Sequence, residues 1–263
     1  MKCRHYLRYC DDFVLLSADR DELLAWRGRI EDYLREALAV ELNPRERLRP
    51  LSDGVDFLGY MVRRDYRLVR RRVVNALKTR LRAYQALLAS EHAGTLTYRF
   101  EAGDLERHQA VLSSYLGHLK RANAYKLWQA LWRGHGWLAV DFDWDATAWR
   151  LKPRWQMPNG LTNVRQQCAW VRGRFPGDAL LFHVGAYYEL YDRRDAPVAR
   201  LLGLKPLGKN RRGALYGVPV RLFGRTLARL TGRGRSVVVR QGEQDPTGIR
   251  ERVIAWRMVP ATG

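Results

Sequence analysis

The apolar residues of this chain occur only in short runs, and this feature limits the folds that the chain can adopt. No stretch approaches the roughly 18 uncharged apolar residues of a transmembrane helix, so none is expected. Some runs have the length of a strand, whereas others repeat with the 3.6-residue period of an amphipathic helix. The mixture predicts an α+β protein, and 263 residues suffice for one large domain or two small ones.

Residues 1–138 predict antiparallel hairpins and a helix, followed by a set of helices. Short apolar runs on either side of a turn indicate the hairpins, and leucines at helical spacing indicate the helices. Asp19 suits the N-cap of the first helix. The predicted elements are strands at His5–Tyr9 and Phe13–Leu16, a helix from Asp19 to about Ala39, a hairpin of Val55–Tyr60 and Met61–Val69, and helices at 71–90, 104–120 and 124–133.

Residues 159–263 predict strands that alternate with helices, which indicates a small mixed α/β domain. The preceding segment, residues 139–158, combines tryptophan, proline and the alternating acids Asp141, Asp143 and Asp145, and it is predicted to be a solvated linker. The predicted elements of the last domain are helices near 160–173, 192–202 and Phe223–Thr231, and strands at Ala179–Val184, Leu215–Val218, Ser236–Gln241 and Val253–Val259.

Positive charge is the strongest compositional signal. The chain has 47 Lys and Arg against 27 Asp and Glu, a net charge of +20. Most of the basic residues are arginine, whose planar guanidinium suits phosphate and stacks on bases, so RNA or DNA is the expected partner. The helix at 71–90 is a candidate DNA-binding surface, with a merely solvated helix as the alternative. The basic residues in and next to this helix are Arg70, Arg71, Arg72, Lys78, Arg80 and Arg82.

Two adjacent carboxylates, Asp11 and Asp12, lie at the predicted tip of the first hairpin. Such carboxylates can hold Mg²⁺ together with substrate phosphate oxygens, although Asp-Asp is also common in ordinary turns. The surrounding sequence RYCDDFVLL resembles the palm motif of reverse transcriptases. LNP at Leu42–Pro44 and DFLGY at Asp56–Tyr60 resemble the next two motifs of that family, in the same order.

The resemblance to reverse transcriptases covers about residues 1–135. SYLGHLKRANAYKL, at Ser114–Leu127, resembles the thumb of the enzymes from diversity-generating retroelements. The resemblance implies a partial palm at 1–70, a helical thumb at 71–138 and RNA-templated DNA synthesis. It assigns catalysis and Mg²⁺ binding to Asp11 and Asp12, and a primer grip to Phe57, Leu58, Gly59 and Tyr60.

The chain departs from that family in one respect. Only ten residues precede Asp11, whereas the fingers and the palm strand with the other catalytic aspartate are expected upstream. A two-metal site needs a carboxylate from that strand. This chain alone is therefore expected to be inactive, with Mg²⁺ bound only in a complete palm. The missing N-terminal half of the polymerase is then a candidate partner.

A second resemblance begins at DALLFHVGAYYELY, Asp178–Tyr191. Aromatic residues on a strand usually belong to the core, but this run resembles the N-terminal mismatch-recognition domain of MutS proteins. The resemblance covers about residues 159–263 and implies that Tyr187 is a wedge in DNA and that Glu189 contacts the displaced base. The segments that follow in the same order are YGVP (Tyr216–Pro219), RTLARLTGRGRS (Arg225–Ser236), VRQGEQDP (Val239–Pro246) and RVIAWRMVPAT (Arg252–Thr262).

This second region also departs from its family. The wedge is tyrosine instead of phenylalanine, and Ala186 stands where the family usually has Asp. The tyrosine hydroxyl carries a desolvation cost when it is inserted between bases. Binding of bent or imperfect duplex is therefore expected, with less sharp mismatch specificity.

The favoured function is the C-terminal portion of a retroelement reverse transcriptase, an RNA-directed DNA polymerase, that carries a MutS-like DNA-binding domain. Its expected partners are an RNA template and cDNA or duplex DNA. The alternatives are a non-catalytic nucleic-acid-binding protein and a mismatch-binding accessory protein. No ATP is expected, because the P-loop-like run Gly203–Asn210 lacks the hydroxyl residue that binds Mg²⁺. A cytoplasmic location without membrane contact is expected from the three scattered cysteines and the absence of an apolar signal core.

Overall fold

The computed structural model describes residues 3–44, 48–92, 94–191, 193–210, 213–230, 236–244 and 250–260. The chain divides into two compact units, Met1–Arg71 and Arg72–Gly263. Both units contain helices and strands, so the α+β prediction is confirmed at this level. None of the described helices has the length and apolar content that a membrane crossing requires. The limits of the palm, thumb, linker and C-terminal domain stay predictions.

The described residues of the first unit form one long helix and two small antiparallel sheets. The helix begins after Asp19, whose side chain accepts hydrogen bonds from the backbone N–H groups of Asp21 and Glu22. The N-cap prediction is therefore confirmed. The second predicted hairpin is a three-stranded sheet instead, because the chain turns twice. The elements are β1 (His5–Tyr9), β2 (Asp12–Leu16), α1 (Arg20–Leu38), β3 (Val55–Phe57), β4 (Tyr60–Val62) and β5 (Arg67–Val69).

The second unit begins within a basic helix and is built around one large sheet. Its first elements are α2 (Arg71–Leu88), β6 (Ala89–His92), β7 (Thr95–Arg99), α3 (Ala102–Lys120), α4 (Tyr125–Gly134), α5 (Leu138–Asp141), β8 (Phe142–Asp145) and β9 (Arg150–Pro153). The remaining elements are α6 (Val164–Arg174), β10 (Ala179–Val184), β11 (Tyr187–Leu190), α7 (Ala196–Leu201), β12 (Pro206–Asn210), β13 (Gly213–Pro219), α8 (Phe223–Ala228), β14 (Ser236–Gln244) and β15 (Arg250–Pro260).

The large sheet has eight strands in the order β12-β13-β11-β10-β14-β15-β7-β6. Only the β10–β14 pair, among the strands described, runs parallel. Four consecutive residues of β10, Ala179–Phe182, are buried. A strand that is buried on both faces has a continuous apolar run instead of alternation, and this explains why β10 is easy to locate in the sequence.

The β6–β7 hairpin joins this sheet from a distant part of the sequence. β15 pairs with β7, and Val259 lies opposite Leu96 in the ladder. Thr95, at the start of β7, is buried. These two strands were not predicted from the sequence, because their apolar residues gain a partner only about 150 residues further along the chain.

Residues 139–158 contain a turn of helix and the β8–β9 hairpin, which packs Phe142 and Leu151 into the interior. The expectation of a solvated linker is wrong at Asp141, which has no exposed surface. Asp141 is the last residue of α5 and precedes β8, so it does not share the strand positions that leave Asp143 and Asp145 partly exposed.

The other two acids of that segment form ion pairs. Asp143 accepts a hydrogen bond from Arg174 Nη1 at 2.7 Å, and Asp145 accepts one from Lys152 Nζ at 3.0 Å. The backbone N–H of Arg154 bonds to the carbonyl of Asp141 at 2.9 Å. The contacts of Asp143 and Arg154 attach the hairpin to α6 and α5, whereas the Asp145–Lys152 pair joins its two strands.

Candidate nucleic-acid interface

A tight hairpin between β10 and β11 presents the predicted wedge residue. Val184 lies opposite Tyr187, which leaves Gly185 and Ala186 as the two turn residues. Gly185 has a φ of +57°, a left-handed conformation that glycine adopts without steric cost. The backbone N–H of Val220 also bonds to the carbonyl of Ala186 at 2.9 Å. The wedge strand therefore starts from a turn with a defined conformation.

The side chains of β11 alternate between solvent and core. Tyr187 is 38% exposed, whereas Tyr188 and Leu190 are buried. Glu189 is half-buried. Since alternate residues of a strand share a face, Tyr187 and Glu189 lie on the same side of the sheet. The two predicted DNA-contacting residues are thus brought together.

Stacked rings support the strand from the opposite face. The Tyr188 ring stacks on Phe223 with centroids 3.7 Å apart, and on His183 with centroids 4.8 Å apart. A His183 ring nitrogen lies 3.0 Å from the carbonyl oxygen of Gly185. Tyr188 belongs to the main apolar core of the sheet. Burial of one face therefore anchors the hairpin, while Tyr187 on the other face stays partly exposed to solvent.

Gly217 has no side chain, and this leaves space for the Tyr187 ring above the sheet. Gly217 lies opposite Glu189 on the neighbouring strand β13. A Cβ at this position would lie 3.2 Å from Cδ1 of Tyr187 and 2.5 Å from Cδ1 of Leu207. Any larger residue would push these side chains away. A glycine inside a strand often marks such a close approach, so Gly217 is a residue that the sequence analysis could have found and missed.

The Glu189 carboxylate has a hydrogen-bond partner that the sequence analysis also missed. The Tyr191 hydroxyl donates a hydrogen bond to Glu189 Oε2. Burial, followed by this bond to Glu189, raises the pKa of the Tyr191 phenol. The phenol thus keeps its proton at neutral pH and remains a donor. Tyr191 follows Glu189 by two positions, and that spacing is the signal for a residue on the same face.

Buried arginines connect the hairpin with the rest of the domain. Arg252 Nε donates to the carbonyl of His183 at 3.1 Å, and its Nη1 donates to Gln167 Oε1 at 2.9 Å. Arg172 Nη2 lies 2.6 Å from a carboxylate oxygen of Asp195, which has no exposed surface. These arginines have structural partners, so they are not free to contact phosphate.

The predicted basic surface on α2 is only partly available. Arg71, Arg72, Arg80 and Arg82 are exposed and Lys78 is half-buried. Arg70, which precedes the helix, forms an ion pair with Asp56. The other face of α2 buries Leu77, Leu81, Tyr84 and Leu88. Five of the six predicted basic residues therefore lie on a helix that is anchored by its apolar face.

Asp11 and Asp12 lie at the tip of the β1–β2 hairpin, as their sequence context predicts. Tyr9 pairs with Asp12, so Cys10 and Asp11 form the turn. Cys10 has a φ of +50°, and both aspartates are exposed. Among the described residues, no three His, Cys, Asp or Glu side chains converge in a way that could hold a metal ion. Asp11 and Asp12 alone do not fit the two-metal site that the resemblance implies.

The predicted primer grip is also a tight turn. Phe57 pairs with Tyr60, and Leu58 and Gly59 form the two turn residues. Their φ angles are +50° and +87°, which is the combination that a type I′ turn requires. The four residues therefore form one hairpin tip in the first unit, and their role in gripping a primer stays a prediction.

Comparison with known proteins concerns the C-terminal part of the chain. Residues 162–262 match the family MutS domain I. The DNA mismatch repair protein MutS of Thermus thermophilus, from each of two strains, is 32% identical over 111 residues, and that of Thermus caldophilus is 29% identical over the same length. The matched stretch covers 40% of this chain and 14% of each relative. The predicted MutS resemblance is thereby confirmed for residues 162–262, which are similar to the mismatch-recognition domain of MutS.

Proposed function

We propose that residues 159–263 bind duplex DNA and favour mismatched, bulged or bent duplexes. The observation that carries this proposal is the position of Tyr187, which is exposed beside Glu189 at a hairpin tip in the MutS-like region. An aromatic ring inserted into the minor groove wedges a base step apart and kinks the duplex. A mismatched step costs least to unstack, so the wedge favours it.

Charge supplies the affinity in this proposal. Residues 159–263 contain 19 basic and seven acidic residues, a net charge of +12. Contacts with phosphate hold the duplex without reading its sequence. The preference for imperfect duplex then depends on Tyr187, and on the hydrogen bond that the Glu189 carboxylate can accept from a displaced base.

The test is competition binding of matched and mismatched duplexes at fixed salt. Tyr187→Ala removes a stacking contact worth about 1–3 kcal/mol, so the mismatch preference should fall roughly fivefold or more while matched binding changes little. Tyr187→Phe should retain or sharpen the preference, because no hydroxyl is desolvated. Tyr66→Ala removes a tyrosine of similar exposure in the first unit and serves as the control. Equal losses for both duplexes in Tyr187→Ala would contradict the wedge.

A second function is proposed for the first unit, which we infer is part of a reverse-transcriptase palm. It is supported by the Cys10–Asp11 turn, which exposes two adjacent aspartates between paired strands. The described residues provide no third carboxylate beside them, and so the chain alone should not extend a primed RNA template. Activity therefore requires a further carboxylate beside Asp11 and Asp12.

This second proposal is tested by complementation. Primer extension is measured after the fingers and first palm strand of a diversity-generating reverse transcriptase are added to the chain. Extension should appear, and Asp11→Asn should abolish it, whereas Asp65→Asn, at another exposed acid of this unit, should not. Extension that survives Asp11→Asn, or extension by the chain alone, would overturn the assignment.

A further inference from the structure

Five aromatic residues form a connected cluster where α4 meets the β8–β9 hairpin. Trp144 is at its centre, with ring centroids 5.7 Å from Tyr125, 6.3 Å from Trp149, 6.0 Å from Trp128 and 6.1 Å from Trp132. The cluster continues to the surface, because Tyr125 is 45% exposed and Trp149 is half-buried. The two outer rings meet almost edge to face, with centroids 6.1 Å apart.

Trp149 has an unusual backbone conformation. It lies in the turn of the β8–β9 hairpin with a φ of +55°. Bulky side chains rarely adopt this left-handed conformation, which glycine or asparagine adopts more easily. Strained residues of this kind occur preferentially at ligand clamps and active sites. This conformation costs energy, so the contacts around the Trp149 ring must hold it at a position where the turn alone would favour a small residue.

Trp149 also lines an open cleft. It has a volume of about 590 Å³ and is lined by Trp149 and Arg150 from the hairpin and by Glu106, Gln109 and Ser113 from α3. This volume is in the range of small-ligand sites. Trp149 thus belongs both to the aromatic cluster and to the lining of the cleft.

Hydrogen bonds hold the hairpin against α3, and a second cation lies beside Ala148, one of the residues that line the cleft. Gln109 Nε2 donates to the carbonyl of Leu151 at 3.1 Å. Lys120 Nζ lies 3.5 Å from the carbonyl oxygen of Ala148, the residue before Trp149. Lys120 and Arg150 are both exposed. The ring of Trp149 is therefore accompanied by two positive charges that can reach a phosphate.

We propose that this site binds an unpaired nucleotide of single-stranded DNA or RNA. One base stacks on Trp149 or Tyr125, and the neighbouring phosphates contact Arg150 and Lys120. Aromatic rings beside cations are the combination by which proteins bind single strands without sequence preference. The polar groups of Gln109 and Ser113 can bond to a base edge. The site shares no residue with the duplex-binding hairpin at Tyr187, so it goes beyond the function proposed above.

The experiment separates base stacking from phosphate attraction. Fluorescence anisotropy measures the binding of the full chain to a labelled oligothymidylate, and to an abasic oligonucleotide of the same length, at one salt concentration. The base-containing strand should bind roughly tenfold tighter, since stacking one or two bases accounts for such a factor. An oligouridylate of equal length shows whether RNA serves as well. Equal affinity for the thymidylate and the abasic strand would overturn the proposal.

Substitutions test whether the difference in affinity between the two oligonucleotides comes from the site at Trp149. Trp149→Gly removes the ring and relieves the left-handed backbone, so the tenfold ratio should collapse to near one while the fold is kept. Tyr125→Ala, at an exposed side chain, should reduce the ratio as well. Arg150→Ala should weaken both oligonucleotides by a similar factor. The control is Trp170→Ala, since the Trp170 ring also lies near an arginine, with Arg174 Cζ 5.4 Å from its centroid.

Two outcomes would contradict the site. The ratio could stay unchanged in both Trp149→Gly and Tyr125→Ala, or it could fall to the same extent in Trp170→Ala. Tyr187→Ala is included as well and should leave the ratio unchanged, because it acts on the duplex-binding hairpin. Failure of the single-strand site is therefore distinguishable from failure of the duplex proposal.

Discussion

Tyr191 is the residue on which the position of the Glu189 carboxylate depends. Tyr191→Phe keeps the ring but removes the hydroxyl that donates to Glu189. We expect the preference for mismatched over matched duplex to fall about three- to tenfold. A hydrogen bond to a charged group is worth roughly 1.5–3 kcal/mol, and the effect expected here is smaller because the pair is half-exposed. Matched-duplex binding should change little. Competition binding measures both, with Tyr66→Phe as the control; an unchanged preference would show that Glu189 needs no such support.

A second prediction at the scale of a residue concerns Asp141 and the dependence of stability on pH. Its carboxyl has no exposed surface and no hydrogen-bond partner among the described residues, and burial raises its pKa well above the usual 3.8. The folded state then binds this proton more strongly than the unfolded state. The contribution to stability is greatest below pH 3.8 and is lost as the pH rises toward the folded-state pKa.

Asp141→Asn removes this titration. The variant should unfold a few degrees higher than the parent at pH 7, and the difference should shrink at acidic pH. Thermal unfolding followed by circular dichroism from pH 4 to 8, at roughly one-unit steps, measures the effect. Asp143→Asn is the matched control and should have the opposite sign, because Asp143 is paired with Arg174. A variant that is less stable than the parent at every pH would contradict the argument.

At the scale of the secondary-structure element, the sequence predicted helices and strands correctly where the residues that define them lie within the segment itself. The predicted strand Ala179–Val184 has the bounds of β10, and Asp19 caps α1 as expected. Asp11 and Asp12 lie at a hairpin tip as their pattern indicates, because a tight turn is a local structure, whereas β11, which contains Tyr187 and Glu189, was not predicted as a strand.

Long-range pairing could not be predicted in the same way. β6 and β7 contain charged and small residues and become part of a sheet only through β15. The Trp149 cluster joins α4 with a hairpin in a segment that looked like a linker, and its left-handed residue has no signature in the sequence. The Tyr191–Glu189 bond depends on rotamers, which a residue pattern does not specify.

The same sheet leads to a prediction about fragments. A fragment of residues 159–263 lacks β6 and β7, which leaves the edge of the 11-residue strand β15 unpaired. Exposed edges of this length pair with other chains. The fragment should therefore self-associate, whereas a fragment of residues 72–263 should remain monomeric. Sedimentation velocity over a range of concentrations measures this, and a monomeric 159–263 fragment that is equally stable would contradict it.

At the scale of the whole molecule, charge governs the expected binding. The net charge is +8 over residues 1–138 and +12 over residues 159–263, so both ends of the sequence can attract polyanions. Neutralising five or six phosphates gives a slope of about −5 for log K against log salt, so affinity should fall about a thousandfold from roughly 50 to 200 mM salt. Titrations at several salt concentrations measure the slope, and a flat response would contradict it.

The order of strands in the large sheet also determines when the sheet can form during synthesis of the chain. β7 lies beside β15, yet about 150 residues separate them in the chain. At a synthesis rate of about 5–20 residues per second, the β6–β7 hairpin waits roughly 8–30 seconds for its partner. During that interval α2 and α3 can already form, because their contacts are local. The sheet closes late in synthesis, and the nascent hairpin needs protection from other chains until then.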